Sequence, residues 1–90
     1  MSWKIEVKPT AEKQYLKLDG KTRERIKKAL RELEATEHPL QHRNVRFLTG
    51  KLQGDYRLRV GDWRVLFTPN KERNQIFVYA ILPRKEAYRK

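Results

Sequence analysis

The segment Tyr56-Arg57-Leu58-Arg59-Val60-Gly61-Asp62-Trp63-Arg64-Val65-Leu66-Phe67 holds the residues best suited to chemistry. It reads as a pair of short strands joined by Gly61-Asp62, and glycine in the first place of such a loop suits a type II′ hairpin turn. That register sets Val60 against Trp63, Leu58 against Val65 and Tyr56 against Phe67, an apolar face that must be buried. On the other face Arg59 stands directly opposite Arg64, with Arg57 beside them. Like charges opposed across a ladder destabilise it, so a fold gains nothing from this pair and the arrangement points to an anionic ligand. Guanidinium suits phosphate, because its planar fork engages two oxygens at once.

Other residues join this set. Arg84 leaves the end of the last predicted strand, and Tyr88 follows in the basic tail Arg84-Lys85-Glu86-Ala87-Tyr88-Arg89-Lys90. An aromatic beside an arginine cluster can stack on a base. Lys51 lies in the glycine-bracketed connection Gly50-Lys51-Leu52-Gln53-Gly54, just before the hairpin. His38 and His42 have a spacing that a metal pair uses, but no third ligand stands near, and they read as solvated loop residues. No metal or cofactor site is expected.

The elements that must position these side chains follow from periodicity. Trp3 to Val7 alternates as a first strand. Pro9-Thr10 opens a helix with Thr10 as N-cap, and Ala11, Tyr15 and Leu18 mark its buried face. Asp19-Gly20 breaks it. A second helix runs from about Lys21 to Ala35, with Ile26, Ala29, Leu30 and Leu33 inward and Lys21, Arg23, Arg25, Lys27, Lys28 and Arg31 on its solvated face. His38-Pro39 closes it, and residues 36–44 form a polar loop. Val45 to Leu48 is a second strand, followed by the hairpin and a turn over Pro69 to Asn74. The last strand, Gln75 to Leu82, is apolar on both faces: Ile76, Val78 and Ala80 on one, Phe77, Tyr79 and Ile81 on the other. Such a strand is central in its sheet. The fold class is α+β: an N-terminal strand, a two-helix hairpin, then a mostly antiparallel sheet with the helices on one face.

Composition bounds the function. Ninety residues make a single domain, 1–90. The 22 Lys+Arg against 11 Asp+Glu give a formal net charge of +11, which calls for a polyanionic partner. The chain has no cysteine, hence no disulfide framework, and fits a reducing cytoplasm. Its apolar runs are too short to cross a membrane.

Residues Leu48 to Phe67 resemble the central signature of the RelE/ParE toxins of type II toxin–antitoxin systems, and Ile81 to Tyr88 is similar to that superfamily's C-terminal motif. The RelE-like branch of mRNA interferases is the better match. That resemblance implies a metal-independent endoribonuclease that enters the ribosomal A site and cuts mRNA there, by attack of a ribose 2′-hydroxyl on the adjacent phosphate. It maps the superfamily's basic catalytic positions onto Arg57, Arg59, Arg64 and Arg84 and its C-terminal aromatic onto Tyr88; Arg59, Arg64, Arg84 and Tyr88 are then expected to be catalytic, while Arg57 and, from their charge alone, Lys51 and Lys85 are expected to bind substrate. Tyr88 would stack on the substrate base or take part in proton transfer. The implied partners are a cognate antitoxin, the ribosome and mRNA, in the cytoplasm. Many members carry His just before the C-terminal arginine; here Pro83 stands there, so no imidazole is available as acid or base. A ParE-like inhibitor of DNA gyrase without nuclease activity, and a non-catalytic RNA-binding module, are the alternatives.

Overall fold

A computed structural model describes residues 3–50 and 54–87, with the side chains of 86 and 87 excepted. Among the described residues no helix is long and apolar enough to cross a membrane. Strand β1 (Lys4–Val7) leads directly into helix α1 (Pro9–Leu16). Pro9 occupies the first helical turn and the N-cap is Lys8, without a side-chain cap. The sequence had pointed to Thr10 as the cap. Proline's fixed φ is already helical and its missing N–H is no loss there, so the helix starts earlier.

Helix α2 (Gly20–Ala35) is capped by Asp19, whose carboxylate accepts from the Thr22 backbone N–H at 3.3 Å and from its hydroxyl. The Thr22 hydroxyl bond is the chief reason that the Asp19 carboxyl titrates below its ordinary range. Helix α2 ends at Ala35, where the sequence places its end, and the chain leaves it at Thr36, ahead of the His38-Pro39 step. The loop after it is not simply polar: Pro39–Gln41 forms a 3-10 turn in which Pro39 is buried.

The remaining strands are β2 (Val45–Phe47), β3 (Tyr56–Val60), β4 (Trp63–Asn70) and β5 (Gln75–Pro83), followed by a short helix α3 (Arg84–Ala87). They form a five-stranded sheet in the order β1-β5-β4-β3-β2. Only β1 and β5 run parallel. The hairpin register is the one the sequence dictates, from Tyr56 opposite Phe67 to Val60 opposite Trp63. Strand β5 is interior, but its alternation is broken. Leu66 pairs with Ala80 and Phe67 with Val78, so Tyr79 is an extra residue at a bulge. Ile81 therefore pairs with Val65 and joins the core beside Ile76 and Val78, and Ala80 moves to the opposite face. A strict two-residue period cannot anticipate that change.

One sheet face carries the core. Ala11 of α1 and Ile26 and Leu33 of α2 pack on Leu58, Val65, Phe67, Ile76, Val78 and Ile81. Tyr56 and Phe67 stack there with ring centroids 5.9 Å apart. Charged side chains cap both edges of the sheet. Glu34 Oε2 accepts from the Ile5 N–H at 3.2 Å on the β1 side, and Arg46 Nη1 donates to the Val45 carbonyl at 2.9 Å on the β2 side. Such capping occupies edge groups that would otherwise pair with another strand.

Candidate nucleic-acid interface

Strand alternation builds the face turned away from the helices. Leu58 and Val60 of β3, with Val65 and Phe67 of β4, point into the core, so Arg57, Arg59, Arg64 and Leu66 belong to the other side. Two cross-strand rows result. One reads Arg46, Arg57, Leu66, Ala80; the next reads Arg59, Arg64, Leu82. Arg46 opposite Arg57 is a second like-charge pair, which sequence reasoning missed. Its signal is weak, because the β2 register depends on a long connection rather than on a tight turn. The Arg46 guanidinium also donates to the Arg43 carbonyl at 3.0 Å.

Arg59 is exposed, whereas Arg64 is buried, at 5% relative exposure. The Arg64 Nη1 group donates to the carbonyls of Gly61 at 3.0 Å and Trp63 at 2.9 Å. The two opposed arginines are thus unlike each other: one reaches solvent, the other closes the turn. This corrects the expectation that the fold gains nothing from Arg64. Its charge is offset by carbonyl dipoles, and it holds the hairpin tip.

The tip gathers further cations. Gly61 has φ +60 and Asp62 does not have positive φ, as the first and second places of a type II′ turn require. A Cβ at Gly61 would stand 3.0 Å from Arg25 Nη2, so α2 lays the Arg25 guanidinium against the turn. The helical periodicity alone placed Arg25 on a solvated face; only the tertiary packing reveals its position. Strand β5 delivers Arg84 to the same place: Pro83 pairs with Trp63, and the Arg84 N–H donates to the Asp62 carbonyl at 2.8 Å. The side chains of Arg84 and Lys85 are exposed. Lys51 and Tyr88 lie outside the described residues.

The other end of this face differs. Asp55 accepts from the Thr68 hydroxyl at 2.9 Å through one carboxylate oxygen and from the Tyr79 hydroxyl at 2.8 Å through the other. Burial, then the Asp55 bond and charge, push the Tyr79 phenol far above its ordinary range. Of the histidines, His42 Nδ1 accepts from the Asn44 N–H at 3.1 Å and its Nε2 lies 3.8 Å from Glu32. Among the described residues no group of three or more His, Asp or Glu side chains is placed to hold a metal ion.

This arrangement places exposed arginines beside a fixed buried one at the hairpin tip, a geometry able to bind an anion. Residues 5–88 match the family model described as the ParE toxin of type II toxin–antitoxin system, parDE. No curated protein sequence matches the chain. Among solved structures, it is similar to RelE of the archaeal RelE–RelB complex from Pyrococcus horikoshii OT3, with 25% identity, a TM-score of 0.76, and 93% of this chain and 97% of that one covered. It is also similar to a mutant of the E. coli toxin RelE in the free state, with 26% identity, a TM-score of 0.75, and 97% and 88% covered. The YoeB/ParE toxin from Agrobacterium tumefaciens shares the fold, at 16% identity and a TM-score of 0.73 over 89% of this chain and 96% of that one. With its model matched over nearly the whole chain, the protein belongs to the ParE toxin family, within the RelE/ParE superfamily of type II toxin–antitoxin toxins.

Proposed function

We propose that this toxin is a ribosome-dependent endoribonuclease that cuts mRNA in the A site. The observation that carries the reading is the exposed Arg59 set against the buried, turn-fixed Arg64, with Arg84 anchored at the same tip. In the reaction the ribose 2′-oxygen bonds to phosphorus and the P–O5′ bond breaks. The 2′-hydroxyl loses its proton, the 5′-oxygen gains one, and the products are a 2′,3′-cyclic phosphate and a 5′-hydroxyl. Arginine does not deprotonate in proteins, so its work is electrostatic. Arg59 and Arg84 hold the scissile phosphate and stabilise its growing charge. Arg64 acts from beneath, adding a cation that costs no reorganisation because the turn already fixes it. Arg57, Lys51 and Lys85 bind flanking phosphates, and Tyr88 stacks on a base or moves a proton. RelE–RelB complexes among the similar structures support a cognate antitoxin as partner, one that complements the basic face.

A second reading has its own support, because the matching family model describes ParE. On that reading the protein inhibits DNA gyrase and cuts nothing. Parallel assays separate the two. Addition of the protein to programmed ribosomes, with mapping of mRNA 5′ ends, should give new ends within the A-site codon. Loss of gyrase supercoiling without such ends would establish the second reading instead.

A further inference from the structure

At the end of the sheet remote from the hairpin tip, Lys8, Asp55, Thr68, Phe77 and Tyr79 line a shallow, open pocket of about 490 Å³. The strand pairing sets it on the same face as the arginines: Asp55, Arg57 and Arg59 are alternate residues leading into and along β3, and Thr68 follows Arg64 and Leu66 on β4. At roughly 3.3 Å per residue the pocket begins about 13 Å from Arg59 and about 7 Å from Arg57. An extended single strand whose phosphates lie on the arginines would carry a base into it within a few nucleotides.

The lining has the chemistry of a base site. Phe77 offers a ring face, at present covered by the Lys8 ammonium at 4.7 Å from the centroid. Lys8 is also paired with Glu6 at 2.8 Å, but both side chains are about half exposed, at 44% and 54%, so the contact is solvent-screened and displaced at little cost. Asp55 is held rigidly, with one oxygen bonded to Thr68 and the other to Tyr79. A carboxylate has about four lone-pair sites, so each oxygen retains one for a ligand. The polar group facing the ligand is therefore a fixed pair of acceptors beside an aromatic platform.

From this geometry we infer a guanine-selecting subsite, in which the base stacks on Phe77 and its N1–H and N2–H donate to the two oxygens of Asp55. Guanine is the base whose Watson–Crick edge presents two neighbouring donors. The subsite rests on the proposal that the arginine face binds RNA, and it adds a choice of sequence to a contact that phosphates alone leave unselective.

The test is a titration of the full chain, at low salt, with a uridine hexanucleotide carrying one guanosine, and with the same strand carrying inosine, which lacks the N2 amino group. Affinity is read by fluorescence anisotropy and location by NMR of the Phe77 and Tyr79 rings. The guanosine strand should bind about tenfold or more tighter than the inosine strand, as loss of one hydrogen bond to a carboxylate implies, and should shift both ring signals. Asp55→Asn should abolish the difference, and Phe77→Leu should weaken both strands. Equal affinity for the two strands, or shifts confined to residues around Arg59 and Arg84, would overturn the subsite while leaving the arginine face an RNA site. Absence of binding by either strand would overturn the subsite, whereas the RNA reading itself falls only if the protein also leaves mRNA whole on programmed ribosomes.

Discussion

Arg64 Nη1 donates to the Gly61 carbonyl at 3.0 Å, so the arginine opposed to Arg59 is also the clamp on the turn that joins their strands. A like-charge opposition is tolerable when one member is buried against carbonyl oxygens and the other is free to face solvent. The two members therefore differ in burial and in hydrogen bonding, and they should respond differently to the same substitution.

Arg64→Ala removes a buried donor from the carbonyls of Gly61 and Trp63. It should lower stability by about 1–3 kcal/mol. Arg59→Ala removes the same charge from an exposed site and should leave stability within about 0.5 kcal/mol of the parent. Urea unfolding of both variants checks this. Equal stabilities would show that the turn does not need Arg64.

Phe67 is fully buried and stacked on Tyr56. Phe67→Ala should cost about 3–5 kcal/mol, and Val65→Ala a smaller amount, through lost packing and the cavity left behind. Calorimetry of the two variants measures it. A Phe67→Ala protein as stable as its parent would contradict the core assignment.

The hairpin was legible because a two-residue turn fixes the register of everything on either side of it: Arg59 opposite Arg64 follows from Gly61-Asp62 alone. The order of elements and the helices on one face were legible from a clear period, and the interior place of β5 from its being apolar on both faces. What escaped was set by tertiary contact. Nothing local says that Tyr79 is a bulge residue that sends Ile81 inward, that Arg25 reaches across to Gly61, or that Arg64 folds back on its own turn. The N-cap shifted from Thr10 to Lys8 because proline's preference for the first helical position outweighed the threonine signal.

Asp19 caps α2 with its carboxyl held below its ordinary range by the Thr22 hydroxyl. A carboxyl depressed in the folded state contributes stability above its unfolded pKa and loses it as pH falls through the folded one. Asp19→Ala should therefore melt lower than the parent near neutral pH, and the gap should close as pH falls below the ordinary carboxyl value of 3.8. Melting curves across that range decide it. A gap that stays constant with pH would rule out the charged cap.

The tail separates binding from chemistry. The Arg84 backbone is anchored to Asp62, and Lys85, whose side chain is exposed, follows it in α3. Neutralising Lys85 should weaken ribosome binding modestly, most at low salt. Tyr88→Phe should keep activity if the ring only stacks and lose it if the hydroxyl moves a proton. Single-turnover rates at saturating ribosomes distinguish these effects.

The most direct measurement is the single-turnover cleavage rate of Arg84→Ala, beside the unaltered protein, on ribosomes programmed with a defined A-site codon, with the chemistry of the new ends determined. We expect the unaltered protein to leave a 2′,3′-cyclic phosphate and a 5′-hydroxyl within that codon, and Arg84→Ala to be slower by roughly a hundredfold or more with its fold intact. An unaltered protein that leaves the message whole, or an Arg84→Ala variant that cuts at the parental rate, would contradict the account.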